Sequence, residues 1–311
     1  MSNRIKNSFA MICIVVILAS MMGGYATAEE EITYGFIPRR DFSDEPDIDD
    51  SVIDSGDALI LAYTEIPLYV DNFFTGTALK LNDATYVPLL AFCQAMLTAD
   101  IEAQWDNETG RVSLSAEDVE ISLTLDDNFI MANDRYFYLP DGAYNINGTV
   151  MVPIRELAKI FNVSVEWDEE SWTVDISTSD FSILEQGKDF YDEDSVYWLS
   201  RVISSEAGAE PLEGMIGVGN VVLNRANDDS GIFADTIKSV IFQYNQFAVV
   251  KSGAIYLKPN EMSVIAAKLC LEGYNTVEDS KFFLNPETSS SLWFRQNRTY
   301  VITIDDHDFY A

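Results

Sequence analysis

Leu199, Val202, Ile203 and Glu206 are spaced i, i+3, i+4, i+7, which places a carboxyl group on the apolar stripe of a helix that begins near an acidic cap at Asp192. A carboxyl held against apolar neighbours loses hydration. Its charged form is disfavoured, and its pKa rises towards the range in which it can donate a proton at neutral pH. Glu206 is therefore the strongest general-acid candidate in the chain. The same spacing also suits a helix-end glutamate in a salt bridge to Arg201 or Arg225. Glu210 stands four residues on, directly before Pro211. It reads as the start of a second helix running through Val218, Val221 and Val222 to Asn224 and Arg225.

Composition removes most other chemistries. The only histidine is His307, and the cysteines are Cys13, Cys93 and Cys270. No zinc site of ordinary ligand count can be assembled, and a Ser-His-Asp or Cys-His arrangement would have to run through His307 alone. His307 is expected as a packed residue near the C-terminus. No metal or organic cofactor is implied, because acid catalysis by a carboxyl group needs neither. Lys plus Arg is 19 against 51 Asp plus Glu, a net charge of -32, which argues against nucleic acid or an anionic membrane surface as a partner. Hydrophobic content of 48% and aromatic content of 12% exclude wholesale disorder. The excess of acids over bases is nine over residues 29–57, sixteen over 58–180 and eight over 192–311. The last segment is the least repulsive towards an anionic substrate.

The elements that must position these residues fall into a simple order. A length of 311 residues fits two domains. Residues 1–28 carry Arg4 and Lys6, an apolar run from Phe9 to about Met22, and Ala26-Thr27-Ala28. That is the pattern of a secretory signal peptide, so no membrane anchor is expected after cleavage; the alternative is an uncleaved anchor, for which the run falls short of the roughly 20 residues a spanning helix needs. Cys13 lies well upstream of the cleavage site, which gives no support to lipoprotein processing. Residues 29–57 read as an acidic linker, with eight acidic groups and no basic one between Asp41 and Asp57. Cys93 and Cys270 are expected in different domains as small buried hydrophobes rather than a disulfide.

Residues 58–180 contain a duplication. Tyr86-Val87-Pro88-Leu89 recurs as Met151-Val152-Pro153-Ile154, and Trp105-Asp106-Asn107-Glu108-Thr109 recurs as Trp167-Asp168-Glu169-Glu170-Ser171. Each copy reads as a strand, a helix started at Val-Pro and a two-stranded hairpin, with Pro88 and Pro153 in the first helical turn. Trp105 and Trp167 are expected as core anchors. The doubled pattern resembles the copper amine oxidase N-terminal-like domain, an accessory module of exported Gram-positive proteins. The resemblance implies no oxidase activity, because that chemistry needs three copper-binding histidines in another domain. Residues 181–191 read as a connector.

Residues 196–310 resemble the catalytic domain of the SleB/CwlJ-type spore-cortex-lytic cell-wall hydrolases. The matching stretches are Arg201 to Pro211, Val221-Val222-Leu223-Asn224-Arg225, Phe233, Thr236 to Ile241, Gln246-Phe247, Phe283-Leu284-Asn285-Pro286 and His307-Asp308-Phe309-Tyr310. Ala248, Ala234 and Asp305-Asp306 depart from the family pattern. The first glutamate of the family's E-A-x-x-E motif, its catalytic acid, falls on Glu206. The resemblance implies a mainly helical, lysozyme-like domain over residues 192–311. It would cleave the N-acetylmuramic acid to N-acetylglucosamine bond of peptidoglycan, either as a muramidase or as a lytic transglycosylase. No second carboxylate has an equally apolar setting, which favours the lytic route. Gln246, Phe247 and Asn285 would line a saccharide groove, a structural role being the alternative for each, and Tyr244, also a substrate-binding candidate, suits either sugar stacking or a core, as do Trp293 and Phe294.

The expected fold class is α+β, a duplicated small α+β accessory domain followed by the helical catalytic one. The expected setting is secreted, at the wall or spore envelope of a Gram-positive bacterium, with peptidoglycan as partner and other wall polymers as candidate ligands of the accessory domain. The rival expectation is a non-catalytic envelope-binding protein that keeps the groove without turnover.

Overall fold

The computed structural model describes residues 32–38, 58–81, 83–97, 100–289 and 296–311. The segment read as a signal peptide, most of the acidic segment, Trp293 and Phe294 lie outside the described residues. In chain order the elements are β1 (Ile32–Pro38), β2 (Ala58–Val70), β3 (Phe73–Leu81), β4 (Ala84–Pro88), α1 (Leu89–Met96), β5 (Glu102–Asp106), β6 (Arg111–Ala116), β7 (Val119–Thr124), β8 (Phe129–Ala132), β9 (Arg135–Tyr138), β10 (Tyr144–Ile146), β11 (Thr149–Pro153), α2 (Ile154–Ile160), β12 (Ser164–Asp168) and β13 (Thr173–Ser177). There follow α3 (Gly187–Phe190), α4 (Glu193–Ala207), α5 (Leu212–Ala226), α6 (Ile237–Phe242), α7 (Ala248–Ser252), a 3-10 turn (Ala254–Tyr256), α8 (Glu261–Leu271), β14 (Phe282–Leu284), β15 (Tyr300–Ile304) and β16 (His307–Tyr310). The class is α+β, and among the described residues no helix is long and apolar enough to cross a membrane.

The chain divides into two compact units, one built from residues up to Met96 with Tyr144–Ser182, the other from Leu97–Ala143 with Ile183–Ala311. The first holds an eight-stranded sheet in the order β10-β11-β4-β3-β2-β13-β12, with β1 also paired to β2. Strand β1 falls inside the stretch expected as linker. Its sequence, ITYGFIP, is rich in β-branched and aromatic residues, and it pairs antiparallel with β2 from Ile32↔Thr64 to Pro38↔Ala58. The duplicated motifs meet at the centre of this unit, where Val87 of β4 pairs antiparallel with Val152 of β11. Both valines are fully buried. Each strand runs straight into its helix. Pro153 occupies the N-cap of α2 rather than its first turn, and Pro88 likewise ends β4 immediately before Leu89. Phe92 of α1 and Phe161 after α2 contact each other at 5.8 Å, joining the two helices over the sheet.

After their helices the two copies part company. The second hairpin, β12–β13, joins the eight-stranded sheet through the parallel pair β13·β2. The first hairpin, β5–β6, instead begins a five-stranded antiparallel meander, β5-β6-β7-β8-β9, that belongs to the second unit. The compact units therefore cut across the sequence repeat. The repeat's tryptophans also differ from expectation: Trp105 is 38% exposed and Trp167 37%. Both lie on edge strands, β5 and β12, which have a sheet neighbour on one side only. Trp105 donates Nε1–H to Asn107 Oδ1 at 2.7 Å, and Trp167 packs edge-on against Trp172 with Lys80 near both rings. Cys93 and Cys270 are free and buried, and burial pushes the Cys93 thiol up to about 12.

In the second unit α4, α5 and α8 pack around one core that includes Leu199, Val202, Ile203, Val218, Val221, Val222, Ala266 and Leu269. Asp192 caps α4 by accepting from the Ser195 N–H at 2.8 Å, and Asn260 caps α8 by accepting from Ser263 at 2.7 Å. Gly219 lets α4, α5 and α8 approach closely: a Cβ there would lie 2.6 Å from Cys270 Sγ and 3.0 Å from Ile203 Cδ1. The five-stranded sheet joins this helical core through a polar clamp. Arg135 of β9 donates Nε–H and Nη2–H to the two oxygens of Glu272 at 2.8 and 2.7 Å, and the Tyr191 hydroxyl donates to Glu272 Oε1 at 2.6 Å. The stretch expected as a connector is thus a packed segment. Its Gly187 is so close to the sheet that a Cβ would fall 2.4 Å from the Asp134 carbonyl oxygen, and its N–H donates to the Asn133 carbonyl at 2.7 Å.

The Arg135 and Glu272 side chains are 12% and 4% exposed. Removing one partner leaves the other charge desolvated and unpaired, so Glu272→Ala is expected to destabilise the second unit by about 3–5 kcal/mol. A denaturant melt followed by tryptophan fluorescence measures this. A midpoint within error of the unsubstituted protein would show that the clamp adds nothing.

Candidate active site

Glu206 sits in the last turn of α4, on the helix face that also carries Leu199, Val202 and Ile203. Those three side chains are fully buried, and Glu206 itself is half-buried. The spacing read from the sequence and the burial agree on which face turns inward. Burial raises the Glu206 pKa, opposed by a hydrogen bond from the Val249 N–H and by the charge of Arg225. The carboxyl is held partly out of water yet has one donor and one cation to receive it when it ionises.

Arg225 is the residue whose importance the sequence understated. It lies in the last turn of α5 and is 5% exposed. Its Nε–H donates to the Lys281 carbonyl at 2.7 Å. Its guanidinium carbon lies 5.1 Å from the Phe247 ring, 5.2 Å from Phe233 and 5.5 Å from Phe282, an aromatic cage for a cation. Burial pulls its pKa down to about 10, with the Glu206 charge opposing, so it remains a cation at neutral pH. Its Nη1 is buried without a hydrogen-bond partner among the described residues. The link to Glu206 is Coulombic. The salt bridge offered as an alternative role for Glu206 is thereby replaced by a through-space interaction. Arg201, the other proposed partner, turns elsewhere, donating Nη1–H to the Tyr197 carbonyl at 3.1 Å.

The helix ends that present Glu206 are tied down from one side. The Asn260 N–H donates to Ser204 Oγ at 3.2 Å, and Asn260 Nδ2 donates to the Gly208 carbonyl at 3.0 Å. The polar side of α5 is laced to the loop after α8: Asn220 Nδ2 donates to Tyr274 O at 2.8 Å, and Asn224 Nδ2 donates to Glu278 O and Ser280 O at 2.9 Å each. These bonds fix the turn from which Arg225 projects.

The expected saccharide contacts separate into different roles. Phe247 is 6% exposed and belongs to the core beside Arg225, so its ring is not free to pack on a sugar. The apolar interior at the start of α7 claims it. Asn285 is half-buried, and its Oδ1 accepts from the N–H groups of Glu287 and Thr288 at 2.9 and 3.1 Å, which makes it a turn-former. Gln246 is half-buried. Tyr244 is 87% exposed and precedes Asn245, which holds a left-handed φ of 63°.

Glu210 does not serve as a helix cap. Its side chain is 10% exposed, Oε1 stands 3.5 Å from His307 Nδ1, and Oε2 accepts from the Asp306 N–H at 3.3 Å. It secures the β15–β16 turn instead. His307 is buried, packed edge-on to Phe283 at 5.3 Å. Among the described residues no three His, Cys, Asp or Glu side chains gather as a metal-ligand set.

Two family models match the chain: Cell Wall Hydrolase over residues 209–310 and Copper amine oxidase N-terminal domain over residues 71–176. The first match begins three residues after Glu206. A spore cortex-lytic enzyme of Oceanobacillus iheyensis is 32% identical over 119 residues, 38% of this chain and 42% of that protein. One from Bacillus subtilis is 33% identical over 111 residues, 36% of this chain and 35% of that protein. The chain thus spans less than half the length of these relatives. The solved catalytic domain of the germination-specific lytic transglycosylase SleB from Bacillus anthracis is 28% identical, aligns with 41% of this chain and all of its own, and gives a TM-score of 0.37. Both resemblances read from the sequence, to the cell-wall hydrolases and to the copper amine oxidase N-terminal domain, are met by these matches.

Proposed function

We propose that residues 192–311 form a peptidoglycan-cleaving domain that breaks the N-acetylmuramic acid to N-acetylglucosamine bond, with Glu206 as general acid. The observation that carries this reading is a carboxyl at the end of α4 whose pKa burial raises, facing the charge of Arg225. The match of residues 209–310 to the Cell Wall Hydrolase model supplies the substrate class. With the N-terminal segment read as a signal peptide, the enzyme is exported and works at a Gram-positive wall or spore envelope.

In the proposed step Glu206 gives its proton to the glycosidic oxygen as the bond from muramyl C1 to that oxygen breaks, leaving an oxocarbenium-like sugar and a Glu206 carboxylate. The Val249 N–H and the Arg225 charge favour that carboxylate. In the lytic route the muramyl C6 hydroxyl then attacks C1 and its proton returns to Glu206, so one carboxyl serves as acid and then base. In hydrolysis water takes the place of that hydroxyl. Glu210, the other low-exposure carboxylate near the end of α4, is occupied by the Asp306 N–H and His307, which favours the single-carboxyl route.

Glu206→Gln keeps the shape of the side chain and removes the proton. Residues 29–311 should release muropeptides from peptidoglycan, and the substitution should reduce release by about 10²–10⁴-fold or more with an unchanged circular dichroism spectrum. Activity equal to the unsubstituted protein would defeat the mechanism. Mass analysis of the products separates the routes, because transglycosylation leaves an anhydro-muramyl end.

Arg225→Met removes a charge that lowers the Glu206 pKa while keeping a long apolar stem in the Phe cage. Glu206 acts protonated, so activity falls as pH rises through its pKa. That falling limb should move to higher pH in Arg225→Met and stay in place in Arg225→Lys. An NMR titration of the Glu206 carboxyl carbon should move in the same direction, and coincident titrations in all three proteins would dismiss the coupling.

A further inference from the structure

One stretch of the second unit runs against the charge of the whole chain. Between Thr236 and Asn260 there are three lysines, Lys238, Lys251 and Lys258, and no Asp or Glu, although the protein carries 51 acids and 19 bases. All three lysines are exposed. This stretch supplies the Val249 N–H that reaches Glu206 and the Ala254 carbonyl that accepts from Ser205 Oγ at 3.3 Å. It therefore wraps the end of the helix that carries the catalytic candidate.

Aromatic side chains continue the same face. Trp198 of α4 packs edge-on against Tyr197 at 4.9 Å, Phe242 at 5.0 Å and Tyr256 at 6.4 Å. Tyr197 is 44% exposed, Tyr256 62% and the adjacent Leu257 68%. Lys238 Nζ stands 5.1 Å from the Trp198 ring, and the Arg201 guanidinium stacks 3.5 Å from Tyr197. The acid in direct contact with the cluster is Asp194, which accepts from Trp198 Nε1–H at 3.1 Å and fixes the indole. Contiguous exposed aromatic surface of this kind marks a binding site more often than a fold requirement. Trp198 precedes Glu206 by eight residues, about 12 Å along the helix axis, within the length of a short oligosaccharide.

We propose that this face binds the peptidoglycan strand beyond the cleaved bond, Tyr256 and Trp198 packing on sugar rings while Lys238 and Arg201 pair with carboxylates of the stem peptides. The inference rests on the reading of residues 192–311 as a peptidoglycan-cleaving domain. Charge selects this occupant. A few cations set in a protein of net charge -32 suit a glycan with separate carboxylates and would repel a continuous polyphosphate wall polymer.

The test uses residues 29–311 in the Glu206→Gln background, so that the strands are bound without being cut. Binding is measured on soluble glycan strands bearing stem peptides, on the same strands stripped by an amidase, and on teichoic acid. Tyr256→Ala should weaken binding to both glycans by about tenfold, the loss of one exposed ring contact. Lys238→Gln should weaken binding to peptide-bearing strands by about threefold, more at low salt, and weaken binding to stripped strands, which keep only the lactyl carboxylate of each muramic acid, by clearly less. Both positions are exposed, and circular dichroism verifies that each variant folds. Unchanged binding in both variants, an equal Lys238→Gln effect on both glycans, or tighter binding to teichoic acid than to glycan would overturn the proposal. Muropeptide release by the protein with Glu206 intact is read separately: cleavage with unchanged binding sinks only this inference, and the predicted binding pattern without cleavage sinks only the glycosidase reading.

Discussion

Removal of water from one carboxyl group is the constraint on which the rest of the second unit is built. Glu206 ends a helix whose inward face is Leu199, Val202 and Ile203, all fully buried, so its carboxyl cannot keep a full hydration shell. Left alone, such a group would simply stay protonated and become a poor base. The Val249 N–H and the Arg225 charge pull against burial and favour the carboxylate once the proton has left. Arg225 in turn is affordable in the interior only because three phenylalanine rings and the Lys281 carbonyl surround it. Phe247, which looks like a sugar platform in the sequence, is consumed in making that cage.

The duplicated segment shows how one sequence pattern can feed two different packings. Both copies form a strand, a helix opened at Val-Pro and a hairpin, and the two Val-Pro strands pair with each other. The second hairpin finds β2 as its neighbour, while the first continues into β7–β9. The meander then meets α8 through Arg135 and Glu272. The helical core thus includes Tyr138 from the meander, well upstream of the helix that carries Glu206.

Much of this was legible because it depends on local periodicity. The 3.6-residue spacing around Glu206, the Asp192 cap and the Val-Pro helix starts are encoded within a few residues of where they act. What was not legible depends on partners distant in sequence. Trp105 and Trp167 alternate as buried strand residues do, but each lies on an edge strand and stays more than a third exposed. Glu210 precedes a helix, yet its carboxylate is taken by the Asp306 N–H and His307, 96 or more residues on. The connector before α4 has no periodic signal, and its packing shows only in contacts with residues distant in sequence, the close approach of Gly187 to Asp134, the Gly187 N–H on the Asn133 carbonyl and the Tyr191 hydroxyl on Glu272. Arg225 was visible as a charge near Glu206 on an adjacent helix, but its burial depends on Phe233, Phe247 and Phe282 from three separate segments.

The placement of the cations bears on how many carboxyl groups the chemistry needs. A mechanism with two working carboxylates requires the second to stay ionised and free to meet water or the sugar. Glu210 is not free in this way, because its oxygens already face a backbone N–H and an imidazole. A mechanism with one carboxyl has the opposite requirement: the same group must survive as an anion between giving a proton and taking one back. Arg225, held as a cation inside the core with one N–H group unpartnered among the described residues, meets that requirement without competing for the proton. Its guanidinium stays charged across the working range because a pKa of about 10 lies far above neutrality. On the proposed single-carboxyl route one fixed positive charge would serve both steps, the acid and base roles differing only in whether the sugar or Glu206 holds the proton.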